Sequence, residues 1–279
     1  MSSKDRHELP PVPERLAAPV VDAHTHLDAC GAKDPESVKA MVDRAESAGV
    51  TRVITVADDI ASARWAAHAA TWDERVFAAV AVHPTRTNKF ADSAKHALKE
   101  LARQPRVVAI GETGLDYYWD YSPRDVQQAA FRWHIELAKQ VGKPLMIHDR
   151  DAHDDVLSIL DEQGAPETVV FHCFSGDVDM ARRCVDAGYI LSFAGPVTFR
   201  NAVPLQEAAR IVPGEQLLVE TDAPFLTPHP FRGRPNEPYC AAYTVRALAD
   251  LRGVDVLDLA TTVERTAERV FGLGHLEQS

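Results

Sequence analysis

Thr51–Ala57, TRVITVA, and Val76–Val82, VFAAVAV, decide the fold. Both are short, rich in β-branched residues and almost continuously apolar. Strands covered on both faces of a parallel sheet read this way; half-exposed strands alternate apolar with polar. Moving outward, similar runs recur along the chain. VVAIG marks Val107–Gly111 and LLVET marks Leu217–Thr221, and four more fall at Pro19–Asp22, Pro144–His148, Thr168–His172 and Tyr189–Ser192. Segments with helical spacing lie between them, among them Glu36–Ala48, Ala61–Thr71, Asp92–Arg103, Arg124–Val141, Ala152–Gln163 and Val178–Ala187. Several end at a glycine, as in AESAG, AKQVG and CVDAG, which suits a helix C-terminus. Ser122 and Pro123 read as the N-cap and first residue of the helix that follows. Eight strand–helix units about 30 residues apart favour a closed (β/α)8 barrel, an α/β TIM barrel, over an open sheet. Tyr239–Phe271 reads as closing helices.

The chain has 279 residues, enough for one such barrel, with 46% hydrophobic and 25% charged residues. This is the composition of an ordinary globular protein. We expect one barrel domain over 19–275 and an N-terminal tail or lead-in over 1–18. The tail is polar and proline-rich, without the apolar core of a secretory signal. Cys30, Cys173, Cys184 and Cys240 form no CxxC pair, so reduced thiols and a cytoplasmic location are expected. No apolar run reaches the ~20 residues of a membrane span. The formal net charge of −11 argues against binding nucleic acid by bulk electrostatics. It leaves room for a local basic rim around bound cations.

The chemistry concentrates where apolar runs stop. Asp22-Ala23-His24-Thr25-His26 follows the first strand, and an extended backbone puts His24 and His26 on one face. The HxH pair alone is a weak signal. Strand four, however, ends at Glu112, strand five at His148, strand six at His172 and strand eight at Glu220-Thr221-Asp222. A barrel gathers the C-terminal ends of its strands into one ring. His24, His26, Glu112, His148, His172 and Asp222 should therefore converge. Six such groups exceed what one ion needs and point to two divalent ions. His24, His26 and Asp222, from neighbouring strands, would hold one. His148 and His172 would hold the other, with Glu112 bridging. The mixture of imidazole and carboxylate suits Zn²⁺ or Mn²⁺ better than Mg²⁺, although all three are candidates. Metal-assisted hydrolysis is the expected chemistry, with Asp222 as base and Glu112 essential beside it.

These blocks, Asp22-His24-His26, GETGLDYY (Gly111–Tyr118), IHDR (Ile147–Arg150), HCFSG (His172–Gly176) and ETDAPFL (Glu220–Leu226), resemble the signatures of TatD-type deoxyribonucleases. The resemblance runs from about Val20 to Phe271. It implies a TIM barrel of the metallo-dependent hydrolase superfamily, and the same six metal ligands. It also implies a divalent-metal-dependent DNase, including 3′–5′ exonuclease activity, with single-stranded or frayed DNA ends as substrate. The alternative is an ester or amide hydrolase such as a D-aminoacyl-tRNA deacylase. A metal-binding scaffold without catalysis is the third reading. Many binuclear amidohydrolases bridge their metals with a carboxylated lysine at the end of strand four. Glu112 stands there in this chain, and Lys143 precedes strand five at the wrong end, where it reads as a solvated loop residue.

Supporting roles follow from position. His83 ends strand three and is expected either to contact substrate or to make a structural hydrogen bond. Arg150 shares the side of His148 and would bind a phosphate or pair with a carboxylate. Asp116 and Tyr117 shape the pocket or serve the turn. Arg200, Arg232 and Arg234 lie in loops that could supply the basic rim, or are surface residues. His68, His96, His134 and His153 read as surface residues of helices, and His7 lies in the tail. Cys173 should point away from the site. Trp65, Trp72 and Trp133 read as packing, while Trp119, after strand four, stays open as a base-stacking platform.

Overall fold

The computed structural model of the chain describes residues 8–273. Eight strands, β1 Val20–Thr25, β2 Val50–Val56, β3 Val76–Ala79, β4 Val107–Asp116, β5 Leu145–Arg150, β6 Val169–Phe171, β7 Ile190–Phe193 and β8 Leu217–Val219, pair in parallel in sequence order. A parallel bridge between Thr25 and Ala223 brings β8 back to β1. Two backbone hydrogen bonds reinforce it, from Asp222 to His24 O at 2.9 Å and from His26 to Ala223 O at 2.8 Å. The result is a single-domain (β/α)8 TIM barrel.

The connecting helices are α1 Pro35–Ser47, α2 Ile60–Ala69, α3 Asp92–Leu101, α4 Arg124–Val141, α5 His153–Gln163, α6 Val178–Asp186 and α7 Val203–Ile211. α7 is short, and the sequence reading did not single it out. Tyr239–Phe271 is two helices, α8 Ala241–Arg252 and α9 Val256–Phe271, parted at the left-handed Gly253. Inside the barrel Val21, Ile54, Phe77, Met146, Val170 and Leu218 pack with Val270, Phe271 and Leu273. The end of α9 therefore plugs the bottom of the barrel. Arg52 holds it there by donating to Leu273 O at 2.8 Å and pairing with Glu264 and Glu268.

Strand bounds shift where the site begins. β1, β4 and β5 run further than the sequence reading had them, so His24, Glu112 and His148 sit within ladders. β3 stops at Ala79, short of Val82, and His83 instead starts a 3-10 helix over Pro84–Lys89. The β1–β2 register slips between Asp22 and Thr25, and the β4–β5 register between Ile110 and Thr113. Irregularities of this kind re-aim side chains, and these two fall at His24 and Glu112. The Gly111–Glu112 peptide is cis.

Three sequence expectations are corrected. Pro123 itself precedes α4 as its cap residue, and no side chain caps the helix. Ser122 Oγ instead accepts from the Asn88 N–H at 3.3 Å. Lys143 is at the bottom of the barrel as expected, but it is only partly solvated. Its ammonium is half-buried and donates to the carbonyls of Ala102, Gln104 and Val107. His134 is fully buried, because its ring spans two elements. Nδ1 donates to Ala130 O at 2.7 Å and Nε2 accepts from Val82 N–H at 3.2 Å, while burial lowers its pKa to about 4.

Residues 8–18 lie against α1 and α8. Leu16 donates to Ala48 O at 3.0 Å, Tyr243 donates to Pro11 O at 2.8 Å and Arg246 to Glu14 O at 2.6 Å. His7 lies outside the described residues. Among the described residues no helix is long and apolar enough to cross a membrane. All four cysteines are free.

Candidate metal centre

The six strand-end residues converge. Glu112 is buried at the middle, and its two oxygens face different histidine pairs. Oε1 is 3.5 Å from Nε2 of both His24 and His26. Oε2 is 3.2 Å from His148 Nδ1 and 2.8 Å from His172 Nε2. Asp222 Oδ1 lies 3.7 Å from His24 Nε2 and 3.4 Å from His26 Nε2. The rings of His24 and His172 stack at 3.9 Å, so the two halves of the site adjoin.

Each ring is turned inward by a partner on its outer nitrogen. His26 Nδ1 is 2.9 Å from Val56 O, His172 Nδ1 is 3.2 Å from Glu220 Oε1, and His148 Nε2 is 2.9 Å from Asp116 Oδ2. His24 Nδ1 meets the Met146 sulfur at 3.1 Å. These partners accept hydrogen bonds, so we assign the ring protons to the outer nitrogens. All four inner nitrogens then present lone pairs. The inner nitrogens of His24 and His26 are 3.2 Å apart, and those of His148 and His172 3.3 Å apart. Two lone pairs at that distance repel unless a proton or a cation lies between them. Two nitrogens each ~2.05 Å from a tetrahedral ion would stand about 3.3 Å apart. The donor set therefore fits divalent cations.

Among the described residues, triples with donor atoms close enough to share an ion are His24–His26–Glu112, Glu112–His148–His172, His24–His172–Asp222 and His83–Asp116–His148. The last shares His148 with the second, and its Asp116 already holds His148 Nε2 at 2.9 Å. We therefore read Asp116 and His83 as a support around His148.

Without a cation the carboxylates favour the protonated rings of His26 and His172, whereas burial and the neighbouring His172 lower the pKa of His24. Burial works against the His26 imidazolium, yet Asp222 and Glu112 outweigh it and lift its pKa to about 10. Burial likewise opposes the His172 cation, and Glu112 with Glu220 reverses that and holds it well above the usual value. Glu112 is itself kept well below the carboxylate range by His172 and His24, against its burial. Ions entering here displace protons.

His83 lies beside the cluster, its Nε2 3.8 Å from Glu112 Oε2. Burial and the neighbouring His148 lower its pKa to about 3, so it is neutral. Its Nδ1 accepts from the Thr85 N–H at 3.2 Å, which leaves the proton on Nε2, facing the site. Arg150 is exposed and, among the described residues, makes no carboxylate pair. Its guanidinium lies 3.9 Å from the Tyr118 ring centre and 5.8 Å from that of Trp119. Tyr117 turns outward to Asp155, to which its hydroxyl donates at 2.6 Å. Cys173 adjoins the site through a left-handed turn, and burial keeps its thiol protonated. Arg232 and Arg234 sit over the rings of Phe199 and Phe231.

Three residues here carry no role in the sequence reading. Glu220 orients His172 and also accepts from Cys173 N–H at 2.7 Å. Asp22, buried and pushed well above the usual carboxylate pKa by that burial, accepts from the N–H and hydroxyl of Thr221, tying β1 to β8. Asp58, just beyond β2, lies 4.0 Å from His26 Nδ1, and burial raises its pKa to about 6. Asp58 directly follows the apolar run Thr51–Ala57, the same signal that marks the other strand-end residues. Replacing Glu220 by Gln should lower metal affinity 10–100-fold, the usual effect of losing a carboxylate behind a ligating histidine. Competition with a fluorescent zinc chelator checks this; unchanged affinity would deny Glu220 that role.

Imidazoles and carboxylates gathered at the top of a (β/α)8 barrel are the mark of metal-dependent hydrolases of this fold. The family model described as TatD related DNase matches residues 21–272. The chain belongs to that family. It is 57% identical over 264 residues to the Mycobacterium tuberculosis protein named "Uncharacterized metal-dependent hydrolase TatD", covering 93% of this chain and 100% of that one. It is 32% identical to the "3'-5' ssDNA/RNA exonuclease TatD" of Escherichia fergusonii, covering 87% of this chain and 94% of that one. The crystal structure of the TatD homologue YJJV from Escherichia coli K12 superposes with a TM-score of 0.85 at 30% identity, covering 91% and 98% of the two chains. This protein is accordingly a metal-dependent hydrolase.

Proposed function

We propose that the protein hydrolyses phosphodiesters at the 3′ end of single-stranded DNA or of a frayed duplex, with two divalent ions. The observation that carries this reading is Glu112, whose two oxygens serve two separate pairs of inward imidazoles. His24, His26 and Asp222 hold one ion in this reading, His148 and His172 the other, and Glu112 bridges. Bound there, the ions supply a nucleophile at neutral pH and offset phosphate charge.

The chain's own groups do the rest. Asp222 is the base: burial opposes its ionisation, but His26 and His24 overcome this and keep it a carboxylate able to accept a proton from water. His83 donates from Nε2 to a phosphate oxygen. Arg150, which pairs with no carboxylate among the described residues, is available to a second phosphate oxygen. The 32% identical relative named as a 3'-5' ssDNA/RNA exonuclease supports this substrate class.

The test is hydrolysis of a 3′-labelled single-stranded DNA by metal-stripped protein, with Mg²⁺, Mn²⁺ or Zn²⁺ restored. Stepwise shortening is expected only with metal, and should fall ~10³-fold in His148→Ala, as the loss of one ion's several kcal/mol implies. No cleavage with any ion, in protein that binds two, would overturn the phosphodiester reading in favour of an ester or aminoacyl-tRNA substrate.

A further inference from the structure

A groove of about 880 Å³ lies between the start of α2, the 3-10 helix Pro84–Lys89 and α3. Its lining includes Arg64, Arg86, Lys89, Asn88 and Tyr121. At its inner end Val82 and Thr85 flank His83, and Thr85 is the residue that orients the His83 ring toward Glu112. Thr85 thus connects the groove to the site, through its hydrogen bond to His83.

Its charge stands out in this protein. The chain carries a net −11. Many of its cations are spoken for, as Arg44, Arg52, Arg75, Arg132 and Arg183 are by carboxylates. Arg64, Arg86 and Lys89 are exposed, and among the described residues none has a carboxylate within 4.0 Å. Asp59, the acid on the groove wall, is occupied in capping α2, where it accepts from the Ser62 N–H at 3.0 Å.

One aromatic ring, Tyr121, lines the groove, and Trp119 is stacked on it. Tyr121 is 61% exposed and Trp119 43%, and the two rings lie parallel with centres 5.4 Å apart. A spacing that short holds no base between them, so the outer faces are the open ones. The loop bearing them is fixed at both ends. Asp116 Oδ1 accepts from Tyr118 and Trp119 N–H at 3.0 and 2.9 Å, and Asn88 donates to Tyr121 O. Unpaired cations at intervals, with an aromatic step beside them, recognise a single strand: phosphates on the cations, a base on the ring.

We infer that this groove carries the single-stranded substrate beyond the scissile phosphate, with Arg64, Arg86 and Lys89 on successive backbone phosphates and Tyr121 under a base. The inference rests on the nucleic-acid reading above. It accounts for how an acidic enzyme holds a polyanion, because the basic surface needed is one groove wide. Preference for a longer strand then resides here and not at the metals.

The test compares thymidine ten-mers with the dinucleotide TpT, using the metal-loaded enzyme and Arg64→Ala/Arg86→Ala/Lys89→Ala. Counterion release contributes about −0.7 to the salt slope per single-strand phosphate, so three contacts set a slope of about −2 and on the order of 100-fold in affinity near 0.1 M salt. We expect the ratio of kcat/KM for ten-mer over TpT to fall by about that factor, and the salt slope of ten-mer binding, read by fluorescence anisotropy, to fall by about 2. Tyr121→Ala should lower the same ratio about 10-fold. Replacing Lys39 and Arg182, exposed cations already paired with Asp43 and Asp179, should leave the ratio as it is. An unchanged ratio in the groove variant would overturn the inference. If the wild-type enzyme cleaves no phosphodiester, anisotropy alone decides. Salt-dependent ten-mer binding lost in the groove variant upholds the groove while the nuclease reading falls; absence of binding overturns both.

Discussion

Glu112→Gln should abolish turnover and empty both metal positions while leaving the barrel folded. Glutamine matches glutamate in size, so the buried site gains no cavity. What changes is charge and donor chemistry. One oxygen becomes an N–H₂ group, which can only donate, and it would face either the His24–His26 pair at 3.5 Å or the His148–His172 pair at 2.8–3.2 Å. Whichever pair it faces loses an anionic neighbour, and the other keeps a neutral oxygen in place of a carboxylate. Each ion contributes several kcal/mol of charge stabilisation, at about 1.4 kcal/mol per decade of rate, so loss of either costs ~10³-fold and loss of both more. Metal content by mass spectrometry, with far-UV circular dichroism as a check of fold, reads the result. Two ions per chain and undiminished activity in the variant would sink the bridging assignment.

The expectation of one central carboxylate arose from strand ends alone, and it shows which features were legible. A barrel needs eight apolar runs at regular spacing, and Thr51–Ala57 and Val76–Val82 state that requirement in local composition. Chain order then tells which strand ends are neighbours. The six strand-end groups could thus be placed together before any contact was known. Boundaries were less legible because the residues that matter lie where ladders turn irregular. The register slips at His24 and Glu112 are tertiary, and nothing in GETGLDYY announces that β4 continues to Asp116 along an equally extended β5. Outer partners were hidden for a related reason. Glu220 stands two residues before Asp222 and reads as another acid of the same motif, until the fold turns it to His172 Nδ1. His134 reads as one more polar residue on α4, since its acceptor role requires the Val82 N–H, 52 residues away in sequence. The groove is assembled from α2, α3 and the loops after β3 and β4, and its three cations look ordinary one at a time.

Gly114→Ala should be a severely damaging single-methyl change beside the metal ligands. Gly114 has φ of +133°, a backbone conformation that is almost closed to residues with a side chain. A Cβ added there would lie 2.1 Å from His148 O and 3.1 Å from Ile147 Cγ2. The first obstacle is backbone, and it belongs to the residue paired with Gly114 across the β4–β5 ladder. No rotamer change relieves it. Either the two strands part or Gly114 changes conformation, and both movements carry Glu112 and His148 with them. Backbone strain of 1–3 kcal/mol and overpacking of similar size together suggest a loss of about 3 kcal/mol, or roughly 6–12 °C in Tm for a domain of this size. Turnover should fall ~100-fold, the expected effect of a 1 Å displacement of a reacting group. Gly31→Ala separates the two causes. Gly31 has φ of +101° but nothing within 4 Å of an added Cβ, so it carries strain without a clash. It should cost about 1 kcal/mol and leave kcat alone. If Gly114→Ala melts no lower than Gly31→Ala and turns over at the wild-type rate, then β4 and β5 are not packed this closely beside the metals. The placement of His148 against Glu112 would then have to be redrawn.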